Sequence, residues 1–157
     1  MKYAVLWLAV SVAYAAAACR DGWMPHGNQC YLFSHDIEPW SNAFDICKIL
    51  GGFLVEVETA EEDRFLISQI QNLGGWYWIG LTDLSEEGTF EWMTSGSRLT
   101  SSSYSGWFPG VPDNTNQTEN CVHYLFYNNV YKWNDFPCLL PQKYICEQNR
   151  AHEPVVG

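Results

Sequence analysis

The chain has 157 residues and a formal net charge of −10, from 18 acidic residues against 8 basic ones. That length suits a leader plus one domain, and the charge argues against the phosphate backbone of nucleic acid as a partner. Aromatic residues are 16% of the chain, enough large side chains for one buried core.

Residues 1–18 read as a secretory signal peptide. Lys2 is the charged start, Val5 to Val12 the apolar run, and Ala16-Ala17-Ala18 the small residues before the cut. The run is too short to favour a membrane span, and no later stretch is long enough for one. A bacterial lipoprotein would also mature at a cysteine, here Cys19, but Ala16 stands where its usual Leu belongs. The expectation is a secreted, extracellular protein with no membrane span, its domain over 19–148 and a polar tail over 149–157, frayed from about Gln148. Loss of Lys2 with the leader takes the net charge from −10 to −11.

Six cysteines follow the leader: Cys19, Cys30, Cys47, Cys121, Cys138 and Cys146. An even count in this context implies three disulfides, with fifteen possible pairings. None sits in a C-x-x-C pair, which weakens zinc and thiol-redox readings.

Gly22, Pro25 and Gly27 predict a short hairpin or turn before a strand at Cys30 to Phe33. Pro39 opens a helix with Trp40, Ala43, Phe44, Cys47 and Leu50 on one face, and Gly51-Gly52 closes it. A brief strand is expected over Phe53 to Val57. Thr59-Ala60-Glu61-Glu62 forms a capping box for a second helix, with Phe65, Leu66, Ile70 and Leu73 as its buried stripe. Glu61, Glu62 and Asp63 resemble a catalytic acid cluster only out of context; at a helix start they oppose the dipole. Five short strands are then expected: Tyr77 to Leu81, Phe90 to Met93, Cys121 to Tyr127, Val130 to Trp133, and Lys143 to Glu147. The polar stretch from Thr94 to Glu119 is long for a structureless loop, so it should be functional or braced. The class is α+β: two helices with a mostly antiparallel sheet.

Within Trp107 to Cys138 lie four oxygen donors, Asp113, Glu119, Asn134 and Asp135, and hard cations such as calcium take oxygen ligands. Asn116-Gln117-Thr118 is an N-glycosylation sequon in the same stretch. His123 has neither nucleophile nor orienting partner in view and reads as structural or exposed. Trp78, Trp92, Trp107 and Trp133 read as core; Tyr127 and Tyr131, which flank the turn before Trp133, are candidate ligand contacts.

Taken in order, Trp78-Ile79-Gly80-Leu81, Phe90-Glu91-Trp92, Trp133-Asn134-Asp135 and the six cysteines resemble the C-type lectin-like domain in its long form, over Cys19 to Glu147. The overall look is nearest to perlucin-like single-domain invertebrate lectins. The resemblance implies the pairs Cys19–Cys30, Cys47–Cys146 and Cys121–Cys138. It also implies a calcium and carbohydrate site in the long loop, with Asp113, Glu119, Asn134 and Asp135 as ligands and the sugar adding two hydroxyls to the same ion. The loop's Pro-centred triplet is Val111-Pro112-Asp113. Asp in the third position goes with galactose-type preference, but the family has Gln or Glu where this chain has Val111. An auxiliary calcium site is implied at Asp83, Glu87, Asn114 and Glu119, although Asn114 and Asn120 stand where some relatives have Asp.

The function expected is a secreted, calcium-dependent lectin for microbial or matrix glycans, acting by binding and not by turnover. Sugar specificity should be altered or weakened at Val111. Any homo-oligomer would form through the domain surface, because no heptad or collagen repeat is present. The alternative is an extracellular matrix or biomineral-associated protein that keeps the fold without classical sugar binding. An enzyme ranks last.

Overall fold

The computed structural model describes residues 19–150; the expected signal peptide, residues 1–18, and the last seven residues lie outside the described residues. In chain order the elements are β1 (Met24–His26), β2 (Gln29–Phe33), α1 (Trp40–Ile49), β3 (Phe53–Leu54), α2 (Ala60–Leu73), β4 (Tyr77–Thr82), β5 (Glu91–Trp92), β6 (Cys121–Tyr127), β7 (Val130–Phe136) and β8 (Lys143–Asn149). The strands form one eight-stranded sheet in the order β1-β2-β8-β4-β6-β7, with β3 on β8 and β5 on β4. Every pairing is antiparallel except β4 with β8. The architecture is the expected α+β one.

β4 is buried at all six positions, as a central strand covered on both faces must be. Its Gly80 is there because no side chain fits: a Cβ would lie 2.7 Å from the Leu54 carbonyl oxygen. On one side Tyr77, Ile79 and Leu81 join Leu66, Ile70, Val122, Tyr124 and Trp133 in the main core. On the other, Trp78 packs with Trp40, Ala43 and the Cys47–Cys146 bridge. The buried indoles are satisfied by distant backbone: Trp40 Nε1 donates to Ile79 O and Trp78 Nε1 to Glu38 O, each at 2.9 Å. All three disulfides form in the implied pairing, and no cysteine is free.

Several local expectations are corrected. The strand expected to Val57 stops at Leu54. Val55 and Val57 are still fully buried, but beyond Leu54 the ladder is replaced by single bonds, Val55 N to Ile145 O and Glu56 N to the Glu147 carboxylate. Phe44 is only half-buried, and Leu50 and Leu73 are exposed, because each lies at the edge of its helix's apolar stripe or past its end. The chain does not fray at Gln148: Cys30 pairs with Gln148 and Gln29 with Asn149, which carries β8 one turn of pleat further than its apolar pattern.

The second helix starts as its capping box requires. Thr59 Oγ1 accepts from Glu62 N at 3.2 Å, but Glu62 reaches back to Glu58 N, one residue before the cap. Asp63 does more than oppose the dipole. It is buried and accepts from Tyr124 Oη at 2.6 Å and from Trp133 Nε1 at 3.2 Å. It was legible as such: Asp63, Leu66 and Ile70 fall at i, i+3 and i+7 on one helix face.

Candidate calcium and carbohydrate site

β6 and β7 pair over seven residues, and alternation along them sorts side chains onto two faces. Tyr124, Tyr131, Trp133 and Asp135 point into the core. His123, Leu125, Val130 and Asn134 share the other face, with His123 opposite Asn134. The long loop is laid against β7 by two backbone bonds, Trp133 N to Gly106 O and Phe108 N to Trp133 O. Gly106 permits that approach, since a Cβ there would meet Trp133 Nε1 at 2.8 Å. Trp78, Trp92 and Trp133 are buried and Trp107 packs edge-on to Trp133, so all four tryptophans are structural.

Asp135 organises the loop after the cis Val111–Pro112 bond. It is fully buried, and its Oδ2 accepts from Asp113 N at 2.9 Å and Asn114 N at 2.7 Å. Asp113 Oδ1 accepts from Thr115 N and Oγ1. Glu119 Oε2 also takes Thr115 N, and Asn114 Oδ1 takes Glu119 N. These bonds bring a carboxylate oxygen of each of Asp113, Glu119 and Asp135 within 4.8 Å of the others. Burial pushes the Glu119 and Asp135 carboxyls above their ordinary range, and the neighbouring carboxylates push the same way.

Like charges held together at a half-buried site need a counter-charge. Asp135 Oδ1 is buried with no hydrogen-bond partner. Three carboxylates held this close, one of them with an unpartnered buried oxygen, fit a hard divalent cation such as calcium.

Asn134 lies on the opposite face of β7 from the Asp135 side chain, its Nδ2 donating to the Asp135 carbonyl oxygen and lying 3.5 Å from His123 Nε2. His123 is fully buried, stacked on Phe136, and burial lowers its pKa to about 3, so it is a neutral structural side chain. Of the auxiliary residues, Asp83 is buried, its Oδ2 accepting from Gly88 N at 2.8 Å and its Oδ1 unpartnered. Glu87 is exposed and lines a cavity of about 210 Å3 with Asp113, Asn114 and Asp135. Among the described residues, the carboxylate cluster includes neither Asp83 nor Glu87. The loop's own brace at the sequon is a single 3-10 turn over Thr115–Gln117 with Asn116 exposed. Tyr131 is removed as a sugar contact: it is 5% exposed and its hydroxyl donates inward to Gly75 O at 3.0 Å. Tyr127 remains 61% exposed.

A sheet-braced long loop that gathers three carboxylates matches the long-loop lectin-like domain that the sequence resembles. The chain matches the Lectin C-type domain over residues 36–148 and belongs to that family. It is 36% identical over 137 residues to a perlucin-like protein of Mytilus galloprovincialis, covering 84% of each chain. The mouse scavenger receptor C-type lectin carbohydrate-recognition domain superposes with a TM-score of 0.76 at 32% identity, over 87% of this chain and all of that one. A calcium-independent type II antifreeze protein superposes at 0.73 with 26% identity, over 88% of this chain and 100% of that one. The family is one of binding domains, so the chain is a carbohydrate-recognition-type module and not an enzyme.

Proposed function

We propose that this chain is a secreted, calcium-dependent carbohydrate-binding protein. The observation that carries the reading is the convergence of the Asp113, Glu119 and Asp135 carboxylates within 4.8 Å of one another. These three and Asn134 would hold calcium; a half-turn of the Asn134 amide exchanges Nδ2 for Oδ1 beside the Asp135 carbonyl. Bound calcium supplies a Lewis-acid centre for vicinal sugar hydroxyls, and the acids accept hydrogen bonds from those hydroxyls. Asp113 gives the site a galactose-type third position, whereas Val111 contributes no oxygen. Calcium binding therefore survives that substitution better than sugar selectivity does. The auxiliary set, Asp83, Glu87, Asn114 and Glu119, is supported as a second calcium position by the unpartnered Asp83 Oδ1.

Three disulfides suit an oxidising, extracellular compartment. Asn116 is exposed in a sequon beside the site and would carry a glycan there. Single sugar sites are weak, so useful avidity toward microbial or matrix glycans requires clustering through the domain surface.

A glycan array run with and without calcium tests the reading. Calcium-dependent signals on galactose- or mannose-terminated glycans are expected; none at millimolar calcium overturns it. The alternative, a matrix protein that keeps the fold without classical sugar binding, is favoured by Val111 and by the net charge of −10. Its signature is a calcium-dependent rise in melting temperature with no glycan bound.

A further inference from the structure

Beside the calcium loop lies a second cavity, of about 450 Å3, that the lectin reading leaves unused. Its walls are Phe108, Pro109 and Val111 from the loop and Leu125, Tyr127 and Val130 from the β6–β7 hairpin, with Asn134 at one end and Asn128 at the other. No charged residue lines it, in a chain of net charge −10. Lys132 shares the hairpin face opposite Leu125 but does not line the cavity.

The cavity is continuous with the proposed sugar site through two residues. Asn134 is a proposed calcium ligand, and Val111 holds the position where a polar ligand is missing. The cavity lies between the Phe108, Pro109 and Val111 side and the Leu125, Tyr127 and Val130 side. Its hairpin side is open: Tyr127 is 61% and Val130 45% exposed. An apolar, uncharged trough that starts at a sugar-coordinating position fits a sugar bearing an apolar tail better than a second polar sugar unit.

We propose that the carbohydrate recognised by this protein carries an alkyl chain, seated in the trough from Val111 to Val130 while the sugar is held at the calcium. The proposal rests on the lectin reading and names the ligand class for that same site: an amphipathic alkyl glycoside or glycolipid. On this view Val111 exchanges a polar contact to the sugar for a contact to the chain. Each fully buried methylene strengthens binding about fourfold, so even partial burial of an octyl chain gives roughly tenfold or more.

The test is titration of the full chain with methyl and octyl β-galactosides and methyl and octyl α-mannosides, below their micelle concentrations, in calcium and in EDTA. Octanol alone is the control. Expected is an octyl glycoside bound at least about tenfold more tightly than its methyl partner in calcium. The gain should vanish in EDTA. It should also vanish in Val130→Asp, and in Leu125→Ser as a second variant, while both keep the calcium-dependent rise in melting temperature. Equal binding of methyl and octyl partners in calcium overturns the proposal and leaves the lectin reading standing. Octyl binding that persists in EDTA, or is matched by octanol, also overturns it, because the trough then acts apart from the calcium. No binding of either partner in calcium removes the lectin reading, and this proposal with it.

Discussion

Trp133 Nε1 donates to Asp63 Oδ1 at 3.2 Å, which ties the strand carrying Asn134 and Asp135 to the first turn of α2. The same oxygen accepts from Tyr124 Oη at 2.6 Å on the neighbouring strand. One buried carboxylate thus fixes both strands of the site hairpin against a helix 61 and 70 residues earlier in sequence.

Asp63→Ala should therefore be costly. It strands a buried phenol and a buried indole N–H, and each unsatisfied group costs about 1–3 kcal/mol. Asp63→Asn keeps an acceptor oxygen and should lose distinctly less. Urea denaturation with the disulfides intact measures the difference; equal losses in the two variants would show that the hydrogen bonds are not the cause.

Val111→Gln restores an oxygen at the triplet's first position. If only that ligand is missing, affinity for galactose should rise roughly twofold to tenfold, the worth of one neutral hydrogen bond. The same change puts an amide into the wall of the apolar trough, so any preference for octyl over methyl glycosides should shrink. Unchanged sugar affinity would mean that the loop does not present position 111 to the sugar.

Glu147 offers a pH signature away from the site. Burial raises its pKa from 4.5 to about 8, helped by the nearby Glu62, Glu56 and Glu58 carboxylates and opposed by the hydrogen bond from Glu56 N. The folded state then binds more protons than the unfolded state between those values. Stability supplied by the protonated form is full below about pH 4.5 and declines as pH rises through about 8. Glu147→Gln should flatten that decline and raise the melting temperature at neutral pH, measured in EDTA so that no cation screens the cluster. An unaltered pH profile would show that Glu147 is ionised in the folded protein.

Cys47–Cys146 joins α1 to β8 across 99 residues. In the chain-entropy model a loop of that length is worth about 4.7 kcal/mol, against about 3 kcal/mol for the shorter Cys121–Cys138 loop. Replacing the first pair by Ala should cost more than replacing the second, and reduction of all three should abolish folding at body temperature. Thermal melts of the two double-Ala variants give the order; the reverse order would place the stabilisation in local packing and not in chain entropy.

Alternation and helical spacing in the sequence located both helices and every strand but β1, which was expected only as a hairpin or turn, because those patterns record which side of an element is buried. They failed where one bond replaces a ladder, as after Leu54, and at stripe edges such as Leu50 and Leu73. Tyr131 was misplaced although its position was readable: a two-residue pattern puts it on the same face of β7 as Trp133, which the sequence already marks as core. Asp63 carried a readable signal, its place on the apolar face of α2, yet an acid at a helix start has a sufficient local explanation and its distant partners are invisible to spacing.

By itself, then, the sequence determined the chemistry available: four oxygen donors, three potential disulfides, a valine where an oxygen would serve, and the period of each element. Those are properties of residue type and local repeat. Only the tertiary structure decided what is near what. It brought Asp113 and Glu119 to Asp135 across 22 and 16 positions, left Asp135 Oδ1 without a partner, placed Glu87 on one cavity wall with Asp113 and Asp135, and opened an apolar trough beside Val111. Those relations depend on strand register and on how a polar loop is pinned to a tryptophan, and both are set by contacts between residues far apart in the chain.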